Sequence, residues 1–236
     1  MSARSEHELL TDSAKASISW RVRSGFYSSD EIVESLVDVV SHEQSISNHE
    51  AKRRIRAVTA AEWSAHLQRQ QSWPPGPTIS DRLAKAFEIL ERRHGIIAKM
   101  NFTCCQSCGI SEIGQDVDDD DTYGYVFFHE QDTEAAVDGM GLSLAFGSFT
   151  KSKRKSELIA DKIIKSLRRA GLRANWEGDV GKRIMVECDE WRKRFREDED
   201  MEDIADDDFD TDSVSDDNES SPEPDTQSDL TLDGEG

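Results

Sequence analysis

The chain has 236 residues, enough for one or two compact domains, and a formal net charge of −20. That charge is unevenly spread: Lys and Arg stop at Arg196, and the segment from Glu197 to Glu235 takes 19 of the 49 acids. The preceding 196 residues carry 29 basic and 30 acidic side chains, so the part able to build a core is close to neutral. No apolar run approaches the ~18 residues that a membrane-spanning helix needs. Met1 to Glu8 lacks the apolar stretch of a secretory signal. Four cysteines, three of them within five positions, make a poor disulfide framework and suit a reducing, cytoplasmic setting.

Residues 1–77 read as a helical N-terminal region. Ile18, Val22 and Phe26 form a first apolar stripe. Ser28-Ser29-Asp30-Glu31 is a capping box, followed by Ile32, Val33, Leu36, Val37 and Val40 at helical spacing. Asn48 is placed to cap a long helix carrying Ala51, Ile55, Val58 and Ala65. Trp73-Pro74-Pro75-Gly76-Pro77 then stops helical structure and marks a boundary or a rigid elbow.

Residues 78–196 read as an α/β domain. Ser80 is the expected N-cap of a helix with Leu83, Phe87 and Leu90 on one face and Gly95 at its C-cap. Ile96 to Phe102 is a predicted strand. Thr103-Cys104-Cys105-Gln106 is a second capping-box pattern, so the cysteines are expected to open a short helix. A polar loop, Gln115 to Asp121, leads to an aromatic strand, Tyr123 to His129. Asp132 is placed to cap a short helix ending near Gly139. A strand from Leu142 to Phe149 follows, then a helix from Ser156 to Ala170. Leu172 to Trp176 and Arg183 to Cys188 pair as a hairpin across the Gly178–Gly181 turn. Strands alternating with helices predict a mixed sheet with packed helices. Residues 197–236 are too acidic and too poor in apolar residues to offset their ordering entropy, and read as a disordered tail.

Asn101-Phe-Thr-Cys-Cys-Gln-Ser-Cys-Gly109 and Gly124-Tyr-Val-Phe-Phe-His-Glu-Gln-Asp-Thr-Glu134 resemble an uncharacterised bacterial family, domain of unknown function 6891. The resemblance runs from about Ser80 to Trp191. It implies a bacterial origin and treats the helical N-terminus and acidic tail as additions. It transfers no catalytic role to any residue.

Chemistry concentrates at Cys104, Cys105 and Cys108. A Cys-x-x-Cys turn brings two thiolates to one Zn²⁺, which takes four ligands. One such turn is present, so a metal site would draw on Cys104, His129 or Cys188 to complete its set. The same residues fit thiol redox chemistry, because a cysteine after a strand and at a helix start favours thiolate. A third arrangement makes Cys105 a nucleophile, His129 its base and Asp132 the group that orients the base. Against all three stands burial: cysteine packs as a small hydrophobe, and His129 continues the face of Tyr125 and Phe127. Tyr123, Tyr125, Phe127 and Phe128 suit a packed strand better than base stacking. Asp118 to Asp121 lacks the ligand spacing of a calcium loop.

Lys151 to Arg173 contains nine Lys or Arg against Glu157 and Asp161. For the helix alone, a solvated face is the simpler reading; the basic face also suits an acidic protein ligand or the chain's own tail, whose length lets it cross the domain. The tail repels phosphate, which argues against nucleic acid. No enzyme motif is complete. The sequence therefore points to a bacterial cytoplasmic interaction or binding module, regulatory or immunity-type. The alternatives are a thiol-dependent or hydrolytic enzyme, or a zinc-stabilised domain.

Overall fold

The computed structural model of the protein describes residues 10–116, 123–150 and 152–195. The Asp118–Asp121 run, expected as a solvated loop, and the segment 197–236, expected as a disordered tail, lie outside the described residues.

Three helices come first. Helix α1 spans Asp12–Ser24, α2 spans Ser29–Gln44 and α3 spans Asn48–Gln71. Each starts where a side-chain oxygen satisfies a free backbone N–H: Thr11 accepts from Ala14, Ser28 from Glu31 and Ser47 from Glu50. Glu31 closes the capping box by accepting from the Ser28 N–H at 2.7 Å. Ile18, Val22, Ile32, Val33, Val40, Ala51, Ile55 and Val58 face inward and form one core. Each fully buried Ile or Val there contributes ~1.5–3 kcal/mol of transfer free energy.

The α/β part follows in the order α4 (Ile79–His94), β1 (Ile96–Lys99), α5 (Gln106–Glu112) with a 3₁₀ turn, β2 (Gly124–Phe127), α6 (Glu130–Val137), β3 (Leu142–Ser148), α7 (Lys153–Arg169), β4 (Ala174–Asn175) and β5 (Ile184–Val186). The five strands form one mixed sheet in the order β1-β2-β3-β5-β4. β1 and β2 are parallel, and the other pairs are antiparallel. The fold class read from the pattern, α/β with helices on a mixed sheet behind an N-terminal helical region, is what the structure has.

The core alternates as strand geometry requires. Val126 and Leu144 join Leu83, Phe87, Leu90, Ile159, Ile163 and Leu167, so α4 and α7 cover one face. Phe127 and Ala145 point to the other face, where Ile113 of the 3₁₀ turn covers them together with Phe102 and Tyr125. Helix α5 sits so close to this second face that a Cβ on Gly109 would lie 2.4 Å from a Phe127 ring carbon.

Trp20 of α1 belongs to the α/β core, and Phe26 and Tyr27 pack against it. The Trp191 indole N–H donates to the Ser24 carbonyl at 2.9 Å. Phe195 and Gln70 exchange two hydrogen bonds, 2.8 and 3.0 Å long. The segment 191–195 thus straps the α/β part to the first helices.

Element boundaries differ from expectation where local capping chemistry decides. Thr78, not Ser80, caps α4, because Asp81 returns its bond from position N3. Ser47 rather than Asn48 caps α3, and α7 begins at Lys153 behind Ser152. Thr103 does not cap α5; its backbone is left-handed at φ 59°, and Cys105 occupies the N-cap without a side-chain cap bond. His129, not Asp132, is the N-cap of α6. The strands are shorter than predicted, with β1 ending at Lys99 and β2 at Phe127.

Beneath the C-terminal strap lies His66, 2 % exposed, its ring edge-on to Trp63 and Trp73. Burial, reinforced by the positive charge of Arg69, brings its pKa down from 6.5 to about 4, against the pull of the Lys193 backbone. The unfolded chain therefore binds a proton at higher pH than the folded one. Stability should be full above pH 6.5 and fall as the pH drops towards 4, by on the order of 3 kcal/mol at most. Chemical denaturation of His66→Phe across this range should show that part of the slope removed. An unchanged slope would assign the pH dependence to other groups.

Candidate functional site

The chain between β1 and α5 makes a tight excursion. Asn101 and Thr103 both adopt left-handed backbone conformations, at φ 50° and 59°. Asn tolerates this region; a β-branched Thr does so only when its surroundings impose it. Those surroundings are visible. The Phe102 N–H donates to the Phe128 carbonyl at 2.8 Å, and the Glu130 N–H donates to the Thr103 carbonyl at 3.1 Å. The Asn101 amide donates to the Tyr27 hydroxyl at 3.0 Å and accepts from the Thr133 hydroxyl at 2.7 Å. Burial holds the Tyr27 phenol well above its ordinary pKa, so it stays protonated.

The excursion ends in the cysteines. The sulfurs of Cys104, Cys105 and Cys108 all lie within 4.8 Å of one another. Cys104 is exposed and the other two are partly so. Cys104 Sγ and Cys108 Sγ are 3.5 Å apart, and Cys105 Sγ is 3.3 Å from the Ser107 hydroxyl. Hydrogen bonds from the Ser107 hydroxyl and from the Cys108 backbone and thiol bring the Cys105 thiol down to about 6. Cys108 moves the other way, to about 12, because its thiol proton is shared with Cys104 and Cys105.

A second cluster forms at the start of α6. Asp132 accepts from the His129 backbone N–H at 3.1 Å, which caps the helix. Its carboxylate takes a two-pronged bond from Arg183, at 2.8 and 2.5 Å, and lies 3.1 Å from His129 Nε2. Arg183 also donates to the Ser143 carbonyl of β3 at 2.9 Å. His129 is 4 % exposed. Burial, helped by the Arg183 charge, lowers its pKa despite the neighbouring carboxylate, so the ring is neutral at neutral pH.

Of the sequence candidates, the fold thus brings Cys104, Cys105 and Cys108 together, and His129 and Asp132 together, as two groups. Among the described residues, the set of ligating atoms within 4.8 Å of one another is made of the three sulfurs alone; neither His129 nor Cys188 is in it. Cys188 is buried in the main core with its sulfur facing the Ala136 carbonyl, and burial raises its pKa to about 11. Arg183, Ser107, Asn101 and Tyr27 were not anticipated. Asn101 alone carried a local signal, as a turn-prone residue near the end of the predicted Ile96–Phe102 strand, two positions past the observed end of β1. Arg183 sits 51 residues from Asp132 and had none.

Two outcomes follow for the reduced, metal-free chain. Alkylation of Cys105 should rise with pH through about 6, far below an ordinary thiol, and Cys188 should react only on unfolding. A single inflection near pH 8.5 for all reactive thiols would contradict this. Gly109→Ala should push α5 off Phe127, lowering stability by ~1–3 kcal/mol and changing the alkylation rates of Cys105 and Cys108. A variant as stable as the parent would show that α5 is not docked there.

The model of one family, described as Domain of unknown function (DUF6891), matches residues 7–195, and the chain belongs to that family. The match takes in the N-terminal helices, whereas the sequence resemblance was read only from Ser80 to Trp191. No curated protein and no solved structure matches the chain. Among the described residues, no helix is long and apolar enough to cross a membrane.

Proposed function

We propose that this member of the DUF6891 family is a binding module built around a soft-metal site, in which the thiolates of Cys104, Cys105 and Cys108 hold one Zn²⁺. One observation carries the reading: five consecutive positions supply three sulfurs within 4.8 Å of one another. Zn–S bonds of ~2.3 Å in a tetrahedral site set sulfurs about 3.8 Å apart, so the cluster needs little movement to close on an ion. Three thiolates leave the fourth position to water or to an outside ligand. The partly exposed cluster is accessible to such a ligand.

The Cys105–His129 hydrolytic reading has less support. His129 Nε2 faces Asp132 and Arg183, and the ring is buried apart from the sulfur cluster. The four free cysteines support a reducing compartment, and we propose the bacterial cytoplasm as the setting. A protein partner, regulatory or immunity-type, would meet the module through an acidic surface. Lys153, Arg154, Lys155, Lys165, Arg168 and Arg169 are exposed along α7 and favour such a partner.

Protein purified without chelator should carry about one zinc per chain, and removing it should lower stability. Replacing zinc with Co²⁺ should give the near-ultraviolet absorption of thiolate coordination. Cys104→Ser, Cys105→Ser and Cys108→Ser should each weaken binding by at least ~10-fold. A chain that is metal-free, takes up no Co²⁺ and is equally stable with and without chelator would overturn the site.

A further inference from the structure

We propose that the metal-free cluster also reduces low-molecular-weight disulfides, with Cys104 as the attacking sulfur and Cys108 as the resolving one. The reaction uses two of the three sulfurs of the metal site and does not require that metal ever be bound. Three observations carry it. Cys104 is the exposed member, the one that an incoming disulfide reaches without moving the fold, whereas Cys105 is less exposed and its sulfur is engaged by the Ser107 hydroxyl. Cys108 Sγ already lies 3.5 Å from it, and a disulfide bond is ~2.05 Å, so closing the ring takes a movement of about 1.5 Å. Cys104 also precedes the Cys105 N-cap, so that movement breaks no hydrogen bond of α5.

The chemistry balances with the disulfide RSSR as oxidant. The Cys104 thiolate attacks one sulfur of RSSR. A Cys104–SR bond forms, the S–S bond of RSSR breaks, and RS⁻ leaves and takes up a proton. The Cys108 thiol then attacks Cys104 Sγ, an S–S bond forms between them, the Cys104–SR bond breaks, and the Cys108 proton goes to the second RS⁻ as it leaves. Two protein thiols are oxidised to one disulfide, and one RSSR is reduced to two RSH. A disulfide between Cys104 and Cys108 leaves Cys105 as the single remaining thiolate of the cluster. Zinc and the disulfide are therefore alternatives at one site, and bound zinc protects the chain from oxidation.

The test uses the full chain, reduced and freed of metal, with excess oxidised glutathione. Two glutathione thiols should be released per chain, the protein should lose two hydrogens in mass, and peptide mapping should find Cys104 joined to Cys108. Cys188, 4 % exposed, is the unreactive internal reference. Cys108→Ser should stop after one thiol, with glutathione held on Cys104. Cys104→Ser should slow release on the order of tenfold or more. No release by the parent chain, a disulfide mapped to another pair, or an adduct held on Cys105 in Cys108→Ser would each overturn the assignment. Should either variant fail to fold, the parent's mapped disulfide still decides. Zinc uptake is measured on the same preparation. A chain that binds zinc but releases no thiol overturns the exchange alone; one that releases thiol but binds no zinc overturns the metal site alone.

Discussion

The carboxylate of Asp132 organises this molecule. It accepts from the N-cap of α6, receives both prongs of Arg183, and stands against the His129 ring. Arg183, just before β5, passes the constraint on through the Ser143 carbonyl to β3, the strand paired with β5. One buried anion thus ties together a helix start, the β3–β5 pairing and a histidine. A pair of this kind gives little net stability relative to apolar packing, yet losing one partner leaves an uncompensated charge in the interior. Its role is to set register and position. The turn from β2 into α6 has one conformation because every polar group of Asp132 has a designated partner.

That turn matters because the cysteine excursion leans on it. Glu130 and Phe128 supply the backbone groups that pair with Thr103 and Phe102. Asn101 is held from two sides, by Thr133 of α6 and by Tyr27 from the chain between α1 and α2. The N-terminal helices therefore do more than flank the sheet. They supply Trp20 to its core and a phenol to the loop beneath the sulfurs. A family match that begins at residue 7 agrees with this dependence.

Much of the fold was legible because its signals are local. The Ser28–Glu31 box, the Gly95 stop and the α7 stripe of Ala160, Ile163 and Leu167 each follow from residues one or two turns apart. Boundaries slipped where two capping residues competed, as at Thr78 and Ser80. The Thr103 pattern misled for a physical reason. A capping box needs an extended backbone at the cap, and the contacts around Thr103 force a left-handed one instead. At the site, the cysteine cluster could be read because its members are neighbours in sequence. The Asp132–Arg183 pair could not, since nothing local links two side chains brought together by sheet topology.

Two L-residues in left-handed conformations bracket Phe102, and each costs roughly 1 kcal/mol or more in isolation. The loop does not choose this shape; the ring of contacts around it does. A short peptide bearing the same Cys-Cys-x-x-Cys letters would spend its time elsewhere, with its sulfurs dispersed. The sulfurs hold their places through geometry borrowed from Tyr27, Thr133 and Glu130, none of which carries a sulfur. The motif and its scaffold are one chemical object, and transplanting the five-residue string into another protein would carry over the letters without the geometry.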